Sequence, residues 1–568
     1  MPGLEERIRE RLVAALDEAL TRALSDGALP PLPASERPKI IVEAPKDTAH
    51  GDLASNLALI LARPLRMNPR QVAEVLVARL DCGDAHVAAV EVAGPGFINF
   101  TLDPAWLRPV LAEIERLDWD YGRSNVGAGR KVQIEYVSAN PTGPLLVVNC
   151  RAAALGDALA NAMAMAGYQV EREYYYDNMG VQVATLGKSM DIRLRQLQGE
   201  QVELPEECYP GDYVVELVKQ ALSDPAVSAR LAAAGADEAR RQAILADFGI
   251  ERIFAEQQRE LARFGTKYDR WFDQRSLVMS GEMERVVERL EESGHVYERE
   301  GAKWLRTTAF GDDKDRVIVK ADGEPSYFGL DIAYHKNKFD RGFDRVIDIW
   351  GQDHHGHVRR MKAAMAALGI DPERLEILLT QMVRIFSGGE LVKLSKRAGV
   401  LFTMAELLDE VSTDAARFFF LMRAPDTHMD FDMDLAKLET NDNPVFYVQY
   451  AHARISGILR QAAELGAPPP KAERAHLELL THATEVALMK KLAALPAEIA
   501  AAAESREPHR LTVYLRELAT AFHAFYDSCR VLGENQALRD ARLVLVNATR
   551  IVFRNVLEIL GVTAPERM

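Results

Sequence analysis

At 568 residues the chain is too long for one ordinary hydrophobic core, and length alone points to three or four domains. Hydrophobic content of 48% and charged content of 27% fit a soluble globular protein, and every long apolar run is interrupted by charge, which excludes a membrane-spanning helix. A net charge of −15 speaks against a generic nucleic-acid binder, because phosphates are drawn to positive potential, so any basic surface must be local.

In chain order, the first unit covers residues 1–115. Its opening stretch, MPGLEERIRERLVAALDEAL, has acidic residues and helical apolar spacing, which predicts a surface helix over 5–29 rather than a signal or transit peptide. A Pro-rich break over 30–38 precedes a short strand over 39–44, helices over 52–62 and 69–80, and a small sheet closed by strands 87–92 and 97–102. A helix over 104–117 and the Gly-rich GRSNVGAGR at 122–130 form a linker.

Residues 116–189 read as the first half of a nucleotide-binding domain, centred on 134–157. VQIEYV is a strand, a Pro/Gly loop follows, a long Ala/Leu-rich helix begins, and 170–176 returns as a parallel strand, giving a βαβ unit. A loop feeding a helix N-terminus aims free backbone N–H groups at an anion, and the helix dipole adds to the attraction. The glycines such a turn normally needs are missing between Leu146 and Arg151.

Residues 190–302 become acidic and Ala-rich, with helices over 236–247 and 281–293 and no strand-rich pattern before Trp304, which predicts a mainly helical insertion. The second half of the nucleotide-binding domain, 303–399, brings back strands at 317–320, 345–350 and 375–380, with a helix over 356–368. Together the halves place a crevice at the carboxyl ends of the strands. A connecting region, 400–445, leads to a helical unit over 446–568. Helical spacing recurs through 406–422, 444–465, 474–502, 506–529 and 534–560, as in a bundle. Four cysteines, Cys82, Cys150, Cys208 and Cys529, lie far apart without ligand-like spacing, which indicates a reducing compartment and argues against a zinc knuckle.

Several residues invite chemistry. DHHGH at 353–357 offers His354, His355, His357 and Asp353, yet the helix that follows separates the side chains and no fourth soft ligand is present, so no metal site is expected. Lys393 and Lys396 stand three apart on a Gly-flanked loop that can swing onto a leaving pyrophosphate, although a Lys-rich loop is by itself usually just exposed. Phe446, Tyr447 and Tyr450 fit either core packing of a helix or stacking on bases.

PKDTAHGDLASNLAL (45–59), EVAGPGFINF (91–100), IEYVSANPTGPL (134–145), GDDKDRVIVKADGEPSYFGLDIAYH (311–335), WGQDHHGHVRRMKAA (350–364), VKLSKRAG (392–399), NDNPVFYVQYAHARI (441–455) and the terminal APERM follow one another in order. From end to end these segments resemble the arginyl-tRNA synthetases, class I enzymes that join arginine to its tRNA at the expense of ATP. The resemblance implies an α/β fold: a class I nucleotide-binding, Rossmann-like parallel-sheet core with a helical insertion. It adds a small α/β N-terminal domain that meets the tRNA elbow and an all-helical anticodon-binding bundle. In that family the loop after Pro144 reads leucine, histidine, aliphatic, glycine, histidine, whereas here it reads Leu145, Leu146, Val147, Val148, Asn149, a degenerate first ATP signature. Asp177-Asn178-Met179-Gly180 stands where the family has asparagine, aspartate, alanine, glycine.

By resemblance, Glu135, Asn140, Tyr327, Asp331 and His355 bind arginine, and a planar guanidinium does call for carboxylates beside neutral acceptors. Leu146, Val148, Arg151, Asp157, Gln352 and Ser395 fall at ATP-binding positions, Lys393, Lys396 and Asn149 at catalytic ones, and Phe446, Tyr450 and Met568 face tRNA. ATP with Mg²⁺ is the implied co-substrate, with no tightly bound cofactor, and the expected partners are tRNA(Arg) and L-arginine, for a cytoplasmic monomer. The expected activity is ATP-dependent activation of arginine and its transfer to tRNA(Arg). The alternative is a catalytically weakened paralogue that keeps arginine or tRNA binding for another role. A scaffold or a metal-dependent hydrolase built on the 353–357 loop has less support.

Overall fold

The computed structural model describes residues 3–45, 47, 50–392 and 402–568, so Lys393, Ser395 and Lys396 lie outside the described residues. Its centre is a five-stranded sheet of β1 (Lys131–Glu135), β2 (Gln169–Tyr176), β3 (Arg270–Asp273), β4 (Arg345–Gly351) and β5 (Leu375–Thr380). The spatial order is β5-β4-β1-β2-β3 and every pairing is parallel. β1 and β4 are inner strands buried on both faces, with Val132, Ile134, Val346, Ile347 and Ile349 in the core beside the buried polar Gln133, Glu135 and Asp348.

After β1 the chain turns into helix α1 (Val147–Met165), most of whose alanines are buried. One face packs on the sheet through Leu155, Leu159 and Met163. The other joins the apolar cluster of the C-terminal bundle through Ala154, Ala158 and Ala162. Gly156 makes the sheet contact possible, because a Cβ there would stand 2.1 Å from the Tyr136 ring.

The stretch expected to be mainly helical is so, with two short strands that the pattern did not announce. Helices Gly180–Leu197, Asp212–Ser223, Pro225–Ala234 and Glu238–Arg263 pack into a separate apolar cluster, but strand β3 follows them and closes the edge of the central sheet. Only four residues long, with Arg270 and Asp273 at its ends, β3 lacks the alternation that marks a strand; Trp271, tilted against Tyr174 at 4.8 Å and Tyr268 at 4.7 Å, anchors it instead. Val296–Arg299 is a second strand ahead of Trp304. It forms a small antiparallel sheet with Ala302–Leu305 and Arg316–Val319, so the strand expected at 317–320 lies outside the central sheet.

In the N-terminal unit, 39–44 does not form a strand but makes one bridge, Glu43 to Ala54. The helix expected from 52 starts at Leu57, because Leu53–Ser55 pairs with Ile98–Phe100. The C-terminal unit is helical throughout its long elements, Pro444–Glu464, Ala483–Ala493, Leu495–Ser505, His509–Ser528 and Gln536–Leu560. Between it and the sheet, Val383–Ser387 and Met429–Asp432 pair as parallel strands that the sequence pattern does not announce. Among the described residues no helix is long and apolar enough to cross a membrane, and the four cysteines are free.

The longest insertion helix, Glu238–Arg263, carries a buried acid, Glu260, against the loop between β1 and α1. Burial, helped by the neighbouring Glu256, pushes Glu260 up to about 7, while the Leu145 amide draws it back. A carboxyl whose folded value lies above its unfolded one contributes stability at low pH that is lost as pH rises towards 7. Glu260→Gln is therefore expected to raise the calorimetric transition of the protein at pH 8 and leave it unchanged near pH 4.5. A lower transition at pH 8 would show that the charged form is the favoured one.

Candidate functional site at the carboxyl edge of the sheet

The chain leaves β1 in a strained conformation. Val137 and Ser138 have φ of 71° and 42°, in the left-handed region, where a β-branched residue such as Val137 costs about 1–3 kcal/mol. Several partners hold it there. Ser138 Oγ accepts from the Tyr175 amide at 3.1 Å, and Tyr174 Oη donates to the Ala139 carbonyl at 2.8 Å. From the helical insertion, Gln257 Nε2 donates to the carbonyls of Asn140 (3.2 Å) and Gly143 (3.0 Å), and Tyr213 Oη to that of Thr142 (2.8 Å). The insertion thus clamps the loop leading to α1.

At the mouth of α1, Asn149 Oδ1 accepts from the Leu146 amide at 2.8 Å and caps the helix. The Asn149 amide turns back to the Leu146 carbonyl, and the Val147 amide donates to the Phe402 carbonyl at 3.1 Å. Of the four N–H groups from 146 to 149, only that of Val148 has no protein acceptor among the described residues, so the anion cradle expected here is largely occupied. The Met404 amide donates to the Leu145 carbonyl at 2.8 Å, and Leu146 bridges Thr403, so the residues after the lysine signature are stitched onto the first loop. Leu146 is half-buried, and Val148 is 43% exposed.

Two positions expected to face ATP do not. Arg151 is buried and turns its guanidinium onto the carbonyls of Gln381 (2.9 Å), Ala424 (2.8 Å) and Thr427 (2.8 Å), away from the mouth of the helix. Asp157 is buried against Arg417 at 2.6 Å, and Arg417 also donates to the carbonyls of Phe264 and Leu560. Both are cross-braces between α1 and later parts of the chain.

Glu135 is likewise spent within the fold. Its carboxylate accepts from Lys338 of helix α2 (Tyr327–Asp340), whose Nζ also bonds Asp348 Oδ1 at 2.7 Å. His335 lies beside them, Nε2 on Asp348 at 2.7 Å and Nδ1 facing the Asp331 carbonyl at 2.7 Å. Burial lowers the tendency of Lys338 to be charged, yet Asp348 and Glu135 outweigh it and hold Lys338 above its ordinary value. Burial is also set against Asp348, but Lys338 and His335 keep it below the usual carboxylate range. Glu135 has the weaker share of the lysine, and burial leaves it raised.

Of the other arginine-site candidates, Tyr327 and Asp331 lie on α2 and Asn140 on the loop after β1. Asp331, half-buried, is held by His357 Nε2 at 3.0 Å. Tyr327 is 52% exposed, its hydroxyl 3.5 Å from where a Cβ of Gly180 would stand. Asn140 donates to Gln182 at 2.9 Å and accepts from the Asp177 amide at 3.3 Å. Sequence reasoning missed two residues here. Gln274, 3% exposed, accepts from Tyr175 and donates to Asp177 Oδ1 at 2.8 Å, and Asp177 itself is 7% exposed. A glutamine just past an unrecognised strand gave no signal. Asp177 was visible only as a departure from the family motif.

The histidines of 353–357 diverge. His357 turns to Asp331, His355 is exposed with Nδ1 on the Gln352 carbonyl at 3.1 Å, and His354 stands exposed beside Asp353. Far from the sheet, Phe446 and Tyr450 stack at 6.1 Å and 7°, with Arg454 over Tyr450 at 4.7 Å and over Tyr526 at 5.1 Å, an aromatic and cationic surface on the bundle. Met568 is 55% exposed, at the end of a tail that Arg460 and His452 pin through the carbonyls of Glu566 and Pro565. A cleft of about 720 Å³ in the N-terminal unit places the partly exposed Phe97 near Asn99, Asn56 and His50, a combination that sequence reasoning also passed over.

Comparison with known proteins agrees along the whole chain. Residues 6–102 match the model of the arginyl tRNA synthetase N terminal domain, 117–420 that of the class I (R) tRNA synthetase catalytic domain, and 448–568 that of the DALR anticodon binding domain. A protein of Desulforamulus reducens named arginine–tRNA ligase is 48% identical over 568 residues, covering 100% of both chains. One of the same name from Heliobacterium modesticaldum is 50% identical over 572 residues, with 99% of each covered. The arginyl-tRNA synthetase of Thermus thermophilus superposes with a TM-score of 0.71 at 25% identity, covering 98% of this chain and 100% of that one. With the sheet, the clamped loop and three matching domains in sequence order, the chain belongs to the arginyl-tRNA synthetase family.

Proposed function

We propose that the chain is an arginine–tRNA ligase that activates L-arginine with ATP and transfers it to tRNA(Arg). The observation that carries this reading is the clamped loop between β1 and α1. It runs from Asn140, which bonds Gln182 two residues after the Gly180 that lies by the Tyr327 hydroxyl, to the mouth of α1 with Val148 and Asn149. The arginine carboxylate attacks the α-phosphate of ATP, and pyrophosphate leaves. Asn149 Nδ2, which has no protein partner among the described residues, supplies one donor to the phosphates in place of the absent imidazoles. Lys393 and Lys396 neutralise the leaving group, and Mg²⁺ enters with ATP as part of the substrate. The terminal ribose hydroxyl of the tRNA then attacks the adenylate carbonyl and releases AMP. Phe446 and Tyr450 of the bundle and the Phe97 cleft of the N-terminal unit offer stacking faces to unpaired bases. The free thiols suit a reducing, cytoplasmic setting.

Arginine-dependent ATP–pyrophosphate exchange, measured with and without tRNA(Arg), tests the reading. The expected result is slow exchange that depends on tRNA. Absence of exchange alongside retained tRNA binding would favour a paralogue that has lost activation.

A further inference from the structure

We propose that Asp177 is the second carboxylate of the guanidinium pocket and that, with Asp331, it sets the preference for arginine over uncharged amino acids of the same shape. The inference rests on the ligase reading and deepens it. A guanidinium spreads one positive charge over a planar fork of five donors, so a pocket that selects it needs anionic acceptors on more than one side. Asp331 supplies one. Glu135, the other acid expected there, is paired with Lys338 inside the sheet and has no charge to spare.

Asp177 fits the vacancy in geometry and chemistry. It follows the last residue of β2, at the carboxyl edge of the sheet, where Gln274 extends β3 alongside and donates to Asp177 Oδ1 at 2.8 Å. The Met179 amide donates to the same oxygen at 2.9 Å. Oδ2 makes no hydrogen bond among the described residues, and no cation pairs with this carboxylate although the residue is 7% exposed. Burial raises its proton affinity, and Asp331 adds to the effect, which puts the two acids within each other's field. Tyr175, two residues before Asp177 on β2, feels both and stacks at 4.2 Å on Tyr334, one turn beyond Asp331 on α2. Two acids within each other's field repel, and a bound guanidinium removes that repulsion. The neutral Gln274 fixes the orientation of Asp177 without competing for the positive charge.

Asp177→Asn retains an oxygen acceptor for Met179 and Gln274, so the fold is expected to survive. The test compares wild type, Asp177→Asn and Asp331→Asn by calorimetric binding of L-arginine and L-citrulline and by the exchange reaction with tRNA(Arg). Asp177→Asn should raise the Kd and KM for arginine about 10- to 100-fold, the usual weight of a hydrogen bond to a charged group. It should leave the KM for ATP and the citrulline affinity unchanged, so that discrimination between the two amino acids narrows. If Asp331→Asn weakens arginine while Asp177→Asn stays within about twofold of wild type, less than a net hydrogen bond is worth, Asp177 is not the second acid and the ligase reading stands. If wild type binds no arginine by calorimetry, both fall together.

Discussion

Arginine-dependent pyrophosphate exchange should rise at least about a hundredfold when Leu146→His, Val148→Gly and Asn149→His are introduced together, because one removed oxyanion donor is worth roughly 3 kcal/mol. The position makes the expectation concrete. Leu146 is the residue from which α1 departs, and its side chain has no donor to offer a phosphate. Val148 is exposed at the second turn position, so a glycine there opens space without leaving a cavity in the core. The gain should come with some loss of stability. Asn149 caps the Leu146 amide, and losing a cap costs about 1 kcal/mol, while glycine for valine in the first turn costs a few tenths more. The measurement is the exchange rate at saturating tRNA set against the thermal transition. An unchanged rate with an intact fold would mean that the imidazoles are not what limits activation in this chain.

The half of the fold that was legible from sequence is the half written in short-range patterns. β1, α1 and β2 announced themselves because two short segments rich in β-branched and aromatic residues flank a Pro/Gly loop and an Ala-rich helix that has to be enclosed. β3 did not, since its four residues are held by neighbouring rings rather than by alternation. The site shows the same division. Tyr327 and Asp331 share a helical face and could be placed together from their spacing. The fate of Glu135 depended on Lys338, 203 positions away in a stretch, KNKFD, that reads as an exposed helix end. Arg151 looked like a phosphate ligand for the same reason: its three carbonyl partners lie 230 or more positions further on.

Lys338→Met should destabilise the catalytic unit by about 3–5 kcal/mol, the usual cost of stripping one partner from a buried ion cluster. Lys338 is fully buried and is shared by Glu135 and Asp348, so its removal leaves two carboxylates facing each other in the core. Three matched domains make a single two-state transition unsuitable, and the quantity to follow is the calorimetric transition of the catalytic unit alone. The sign with pH is fixed by Glu135. Its folded value is already raised, and without the lysine it rises further, so the penalty grows as the pH climbs from the ordinary carboxylate range through that raised value, and shrinks as the pH falls and the acid takes up its proton. Adding Glu135→Gln to Lys338→Met should recover part of the loss at pH 8. A transition that moves by less than about 1 kcal/mol would indicate that water reaches the cluster and solvates the acids.

The helices between β2 and β3 carry a lesson for anyone wishing to shorten the chain. Tyr176 ends one strand beside Asp273, the last residue of its parallel neighbour, so the polypeptide must travel back the full length of the sheet before Arg270 can begin. Parallel neighbours cannot be joined by a tight hairpin, and a crossover of about a dozen residues is the least that geometry permits. Part of what reads as an appendage is thus the return path of the sheet; a cut below that length would unthread the edge strand, and any cut that removes Tyr213 and Gln257 takes away the props under the Pro-Thr-Gly turn.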